Sequence, residues 1–298
     1  MIQGILLEGF IYGIMTLGVF VTFRILNFPD LTVDGSFPLG AAIMAAMLVN
    51  GSSPVLALFI AFLGGLGAGA ITAVIHNKLK VPNLLAGILT MTMLYSVNIR
   101  VLGNRANVAL IRVETMLSRV HVMFPDSFTD EQTMLIFFAF SVVVAVLLLS
   151  VFFRTDMGLT MGAMGNNAQM VITQGVNPEY LKIIGVGISN GLVAVSGAFA
   201  AQYLGFADVN MGQGIIVAGL ASVMIGEFFV KSNRISVLLS RAILGSIIFR
   251  GIMFLGRYYG YYVNLTPNDL KLITGLLIIA SLAVTQFKLK KSKRGTSL

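Results

Sequence analysis

Long apolar runs alternate with short polar connections along this chain. A membrane-crossing helix needs about 20 mostly apolar residues, and nine runs approach that length: roughly 2–23, 34–50, 54–75, 82–102, 133–153, 180–204, 209–230, 235–256 and 269–287. Two of the polar connections are long. Residues 103–132 carry Arg105, Arg112, Glu114, Arg119, Asp126, Asp130 and Glu131, and residues 154–179 form a polar stretch containing Gly and Asn. The pattern predicts an all-α, polytopic membrane protein with a single transmembrane domain over 1–298 and about nine spanning helices.

Composition agrees. Hydrophobic residues make up 57% of the chain and charged residues 11%, against about 25% charged in soluble domains, and the mean hydropathy is +0.91. Too little polar surface remains to cover a water-exposed globule. The absence of Cys excludes a disulfide scaffold and Cys-ligated metal sites. Met1 to Phe23 lacks a basic n-region and contains Glu8, so a retained helix is expected there rather than a cleaved signal.

The net charge is +8 and unevenly placed: Lys288, Lys290, Lys291, Lys293 and Arg294 crowd residues 288–298. A basic tail beside anionic lipid accounts for this. No continuous polar face exists for nucleic acid. With that tail in the cytoplasm, nine spans put Arg24, Lys78, Lys80, Arg154, Lys182, Lys231 and Arg234 on the same side. Arg100, Arg105, Arg112, Arg119, Arg257 and Lys271 fall outside. The bias satisfies the positive-inside rule and predicts a cytoplasmic C-terminus and an external N-terminus.

Polar residues inside the apolar matrix are the informative ones. The stretch from Asn27 to Pro38 holds two Pro, Gly35, Asp30 and Asp34 between two spans. Such a segment does not fit a lipid-facing helix interior. It predicts an irregular stretch opening the next helix, with Asp34 or Ser36 as cap and Pro38 in the first turn. Two readings stay open for Asp30 and Asp34: interfacial caps, or residues lining a water-filled path with Thr32 and Ser36. Gly205 to Gly214 repeats the theme, with Phe206-Ala207-Asp208 echoing Phe28-Pro29-Asp30 and with Asn210 close behind. On opposite sides of the membrane, the two breaks fit an inverted repeat. Among other charges in apolar runs, Glu227 is expected to snorkel from a helix end, and Arg250 to pair with an acid or line a cavity.

Enzymatic signatures are missing. His76 and His121 stand alone, and no Gly-x-x-x-x-Gly-Lys-[Ser/Thr] pattern occurs, so catalytic residues, a metal site and a bound cofactor are not expected in this chain.

The segment Arg154-Thr155-Asp156-Met157-Gly158-Leu159-Thr160-Met161-Gly162-Ala163-Met164-Gly165-Asn166-Asn167-Ala168, continuing to Gly175-Val176-Asn177, resembles the cytoplasmic coupling loop of ABC importer permeases of the ribose and branched-chain amino acid class. Thr155, Gly158, Ala163, Gly165, Asn167, Gly175 and Asn177 carry the resemblance; Leu159 departs from it, since many relatives have Arg there. Asp30-Leu31-Thr32-Val33-Asp34-Gly35 is similar to the element that opens a pore-lining helix in sugar permeases, and the likeness extends over almost the whole chain. It is nearest to a subgroup associated with amino-acid uptake, in some cases of aromatic amino acids. The resemblance implies that 154–179 docks on a partner ATPase, which binds ATP and Mg. It further implies a second permease subunit, as a homodimer, and an extracellular solute-binding protein or lipoprotein. Relatives often have ten spans, so a missing first span would agree with an external N-terminus. An ion-coupled secondary transporter, using Asp30, Asp34 and Asp208 at broken helices, is the alternative.

Overall fold

The computed structural model describes residues 2–111, 113–123, 128–230, 232 and 234–260, together with 272, 275, 276 and 279. The expected ninth span, the basic tail and several charges used for orientation (Arg112, Lys231 and Lys271) lie outside these residues, apart from the four isolated positions.

Each of the first eight apolar runs forms a helix. α1 (Ile2–Phe20) continues through a π-helical turn, Val21–Ile25, and the chain then breaks before α2 (Val33–Val49). α3 (Pro54–Leu79) and α4 (Asn83–Val101) follow, then a short strand β1 (Asn107–Ala109), α5 (Met116–Met123) and α6 (Asp130–Phe152). Two short helices, α7 (Asp156–Asn166) and α8 (Ala168–Thr173), precede α9 (Pro178–Leu204). β2 (Phe206–Asp208), α10 (Ile215–Phe229) and α11 (Ile235–Gly260) complete the order.

Among the described residues, six helices are long and apolar enough to cross a bilayer: α1 with its π-helical extension, α3, α4, α6, α9 and α11; α2 and α10 are apolar but shorter. The difference from the expected spans arises at the two breaks. Residues 209–214, anticipated as the start of the seventh span, form a turn after β2 instead, so α10 begins only at Ile215.

α1 and α9 form the centre. Their most apolar windows are 67% and 72% buried, whereas α3, α4, α6 and α11 leave most of theirs on the outside, where lipid would lie. A buried aromatic layer of Phe138 and Phe199, with Phe137 beside them, packs edge to face between α6 and α9. α9 meets α2 almost backbone to backbone: a Cβ on Gly40 would collide with the Ala194 carbonyl, and one on Gly197 with the Phe37 carbonyl. Without a hydrophobic driving force between helices in lipid, such close approach is a principal source of cohesion.

The connection 103–132 contains structure that the hydropathy pattern does not signal. β1 pairs antiparallel with β2, Asn107 opposite Asp208, tying this connection to the second break. Thr129 and Gln132 form a reciprocal capping box that starts α6.

Candidate functional site

The two breaks share a local geometry. Asp30 Oδ1 accepts the Thr32 N–H at 2.9 Å, and Asp208 Oδ1 accepts the Asn210 N–H at 2.7 Å. Each Asp thus closes a tight turn on the residue two places on, a use that suits the short Asp side chain, and a short apolar helix follows each.

Beyond those turns the environments differ. Asp30 is 2% exposed, and its second oxygen accepts from Asn190 Nδ2 at 2.6 Å. Asn190, in the middle of α9, accepts in turn from Ser36 Oγ at 2.7 Å through its own oxygen. Thr32 Oγ1 lies 2.7 Å from Thr72 Oγ1 of α3. The result is a buried polar cluster knitting the break, α2, α3 and α9, in which polar groups partner one another. Asp30, Thr32 and Ser36 are all in it, locked in the interior. Asn190 was not anticipated, although a lone Asn within the apolar run of α9 is a legible signal of intramembrane polarity.

Asp34 plays a different part. α2 begins at Val33 with no side-chain cap, so neither Asp34 nor Ser36 caps its own helix as expected, and Pro38 lies beyond the first turn, inside the helix. Asp34 instead reaches across to α10: Oδ2 accepts the Gly214 N–H at 3.1 Å and Oδ1 the Ile216 N–H at 2.8 Å. Two of the N–H groups that a helix start leaves without partners are satisfied by a carboxyl from another helix.

Asp208 also receives Asn107 Nδ2 at 3.2 Å, and Asn210 Oδ1 accepts from Gln213 Nε2 at 3.1 Å. Asp34, Asn210, Gln213 and Gly214 contribute to the wall of a cavity of about 440 Å³, closed on the other side by Met91, Thr92, Tyr95 and Asn98 of α4. Of the residues expected on a path, Asp34 and Asn210 therefore meet at one cavity, while Asp30, Thr32 and Ser36 belong to the buried cluster.

Arg250 is remote from both. Its guanidinium sits 3.3 Å from the Tyr12 ring centroid and 3.6 Å from Glu8, an acid partner within the membrane region as charge there requires. Tyr12 stacks on Phe37 of α2 at 5.7 Å. Glu227 does not reach for solvent alone: it bonds Arg24 of the π-helical turn at 2.8 Å and Arg241 of α11 at 2.9 Å, joining the ends of α1, α10 and α11.

The 154–177 segment is a pair of capped helices. Thr155 Oγ1 accepts the Gly158 N–H at 3.3 Å, Asn167 Oδ1 the Met170 N–H at 3.2 Å, and Asn177 Oδ1 the Glu179 N–H at 2.9 Å, so the three polar positions start α7, α8 and α9 respectively. Gly175 adopts φ +80, a left-handed conformation that favours glycine. Gly158 and Gly165 permit close approach, but to the chain itself: added Cβ atoms would strike the Phe152 and Ile25 carbonyls. Met161, Met164 and Val171 are buried, and Ala163 packs against the same core. Arg154 is exposed, as are the apolar Met157, Leu159, Met170, Ile172 and Val176. Among the described residues, no group of three or more His, Cys, Asp or Glu side chains could hold a metal ion.

Comparison with known proteins matches residues 1–282 to the family described as the permease component of the branched-chain amino acid transport system. A tyrosine transport system permease protein of Clostridioides difficile is 39% identical over 297 residues, covering 100% of this chain and 95% of its own length. A galactofuranose transporter permease protein of Escherichia coli is 25% identical over 228 residues, 75% of this chain and 62% of its own. The fold is similar to that of a metal-chelate type ABC transporter solved in an inward-facing conformation, with TM-score 0.54 and 16% identity over 96% of this chain and 86% of the other. It is similar also to PsaBC of Streptococcus pneumoniae, solved in complex with a Fab, with TM-score 0.52 and 16% identity over 94% and 90%. A bundle of apolar helices broken at two polar turns, matched over nearly its full length, is a transport subunit and not an ATPase: the chain belongs to the family of branched-chain amino acid transport system permease components, the membrane-spanning permeases of ABC transport systems.

Proposed function

We propose that this permease moves an amino acid inward across the bacterial cytoplasmic membrane as a homodimer, with its C-terminus in the cytoplasm and its N-terminus outside. It is driven by a partner ATPase that binds ATP and Mg, and fed by an extracellular solute-binding protein or lipoprotein. The two Phe-x-Asp breaks would be the related points of an inverted repeat, about which α2 and α10 shift during transport. The family description and the tyrosine permease relative support an amino acid as solute.

The observation that carries the coupling is the two-sidedness of α7 and α8. One face is seated by Met161, Met164 and Val171. The other presents Met157, Leu159, Met170 and Ile172, which are 44–61% exposed in a segment too polar to be lipid-facing. It is flanked by exposed Arg154, which suits a cytoplasmic position under the positive-inside rule. An apolar face with a polar rim suits a protein partner. ATP-driven closure of that partner would pull on α7, which touches Ile25 and so the π-helical turn of α1.

Leu159→Glu and Ile172→Glu on this outer face should lower co-purification of the ATPase at least tenfold while leaving insertion and folding of the permease intact. Undiminished co-purification and uptake by both variants would refute docking at this face. The ion-coupled alternative finds no favouring observation: Asp30, Asp34 and Asp208 are each engaged with separate partners and do not converge on one site.

A further inference from the structure

The cavity between α2, α4 and the turn before α10 has an unusual wall. Asn98 is 1% exposed, and its Nδ2 donates to the Gly35 carbonyl at 3.2 Å. That bond fixes the orientation of the amide and leaves Oδ1 buried with no partner. A buried acceptor left open in this way calls for a donor. Asn98 and Asp34 line the same cavity, and the Asp34 oxygens, each already taking one backbone N–H, keep further lone pairs. The rest of its wall sets apolar Pro38, Met91 and Val209 beside polar Thr92, Ser96, Asn210 and Gln213, and Tyr95, 48% exposed, also lines it. No Lys, Arg or His lines it among the described residues.

We infer that this cavity is a solute-contact subsite of the permease, taking the ammonium group of an α-amino acid on Asn98 Oδ1 and the Asp34 carboxyl and laying the side chain along Tyr95. The inference rests on the amino-acid reading above. An ammonium brings three donors and a positive charge to a wall that offers acceptors and no cation. About 440 Å³ falls within the ~300–1,000 Å³ of small-molecule sites. The position also suits transport, because the cavity lies where the start of α2 meets the second break, and its Asp34 ties α2 to α10. A shift of α10 relative to α2 would alter the site, so the two states of the permease would hold solute differently, as a transport cycle requires.

The test uses the permease–ATPase complex in nanodiscs, without the solute-binding protein. Binding of tritiated L-tyrosine is measured in competition with L-leucine, ribose and 3-(4-hydroxyphenyl)propionate, which is tyrosine without its ammonium group. Saturable binding is expected, displaced by L-leucine but not by ribose or the desamino acid. Asn98→Leu should weaken it at least tenfold. Tyr95→Ala, at a half-exposed position of the wall, should weaken tyrosine severalfold more than leucine. Equal competition by the desamino acid or by ribose, or unchanged binding in both variants, would overturn the subsite. If the complex binds no amino acid while the complete importer takes amino acids up, the subsite is wrong and the amino-acid reading stands. If the complete importer takes up no amino acid, both fall.

Discussion

Asp34 Oδ1 accepts the backbone N–H of Ile216 at 2.8 Å across 182 positions of sequence. The contact makes the opening of α2 a cap for α10. A charge expected either to cap its own helix or to line a path therefore does neither alone: it secures a second helix while also facing the cavity. Asp34→Ala should remove both bonds to α10 and cost about 1–2 kcal/mol of stability, the range for a lost cap. Asp34→Asn keeps one carbonyl acceptor but sets its NH2 against the other backbone N–H, so its thermal stability should fall between the native chain and Asp34→Ala, with lower uptake per assembled complex if the carboxyl contacts solute. Thermal unfolding of the purified permease, beside uptake normalised to assembled protein, separates the two effects. Native-like stability of Asp34→Ala would refute capping by the side chain.

Asn190 holds Asp30 and Ser36 together from the middle of α9. Asn190→Leu removes the side-chain donor to a fully enclosed Asp30 and the acceptor of Ser36. Stranded buried groups cost roughly 1–3 kcal/mol each, so this variant should assemble poorly. Ser36→Ala removes only one donor of the cluster and should cost about 1 kcal/mol. Yields of folded permease by size-exclusion chromatography check the order. Tolerance of Asn190→Leu would mean that the cluster does not stabilise the break.

Glycines at contacts and glycines in open space should respond oppositely. An added methyl at Gly40 or Gly165 meets a carbonyl of another segment, whereas at Gly162 nothing lies within 4 Å. Gly40→Ala and Gly165→Ala should each destabilise by roughly 1–3 kcal/mol through overpacking. Gly162→Ala, inside α7, should be neutral or stabilising by about 0.5–1 kcal/mol. Of the two harmful changes, Gly165→Ala should also reduce ATP-driven uptake through displacement of α7, and thermal melts with uptake per complex would record both.

Much of this architecture was legible in the chain. Eight of the nine apolar runs lie in the described residues and each forms a helix, and Pro29, Asp30, Asp34 and Pro38 marked a break, because backbone polar groups in lipid leave little freedom. What could not be read was long-range partnership. Nothing local tells that Asp34 caps a helix 180 residues later, that Asn190 closes the Asp30 cluster, or that β1 pairs with β2. Those choices are made by packing, which brings distant segments to one depth. The length of α10 was overestimated for a related reason: residues 209–214 adjoin an apolar run, but the turn closed by Asp208 and the left-handed Gly214 delay the helix. Likewise Gly158 and Gly165 could be seen to permit close approach, while the identity of what approaches, the chain's own carbonyls, belongs to the fold.

The account turns on one measurement: uptake of labelled L-tyrosine and L-leucine into proteoliposomes holding this permease, with and without its ATPase and binding protein. Accumulation that requires ATP and both partners, and that is indifferent to imposed Na⁺ or H⁺ gradients, is the predicted result. Uptake by the permease alone, driven by an ion gradient, would contradict it.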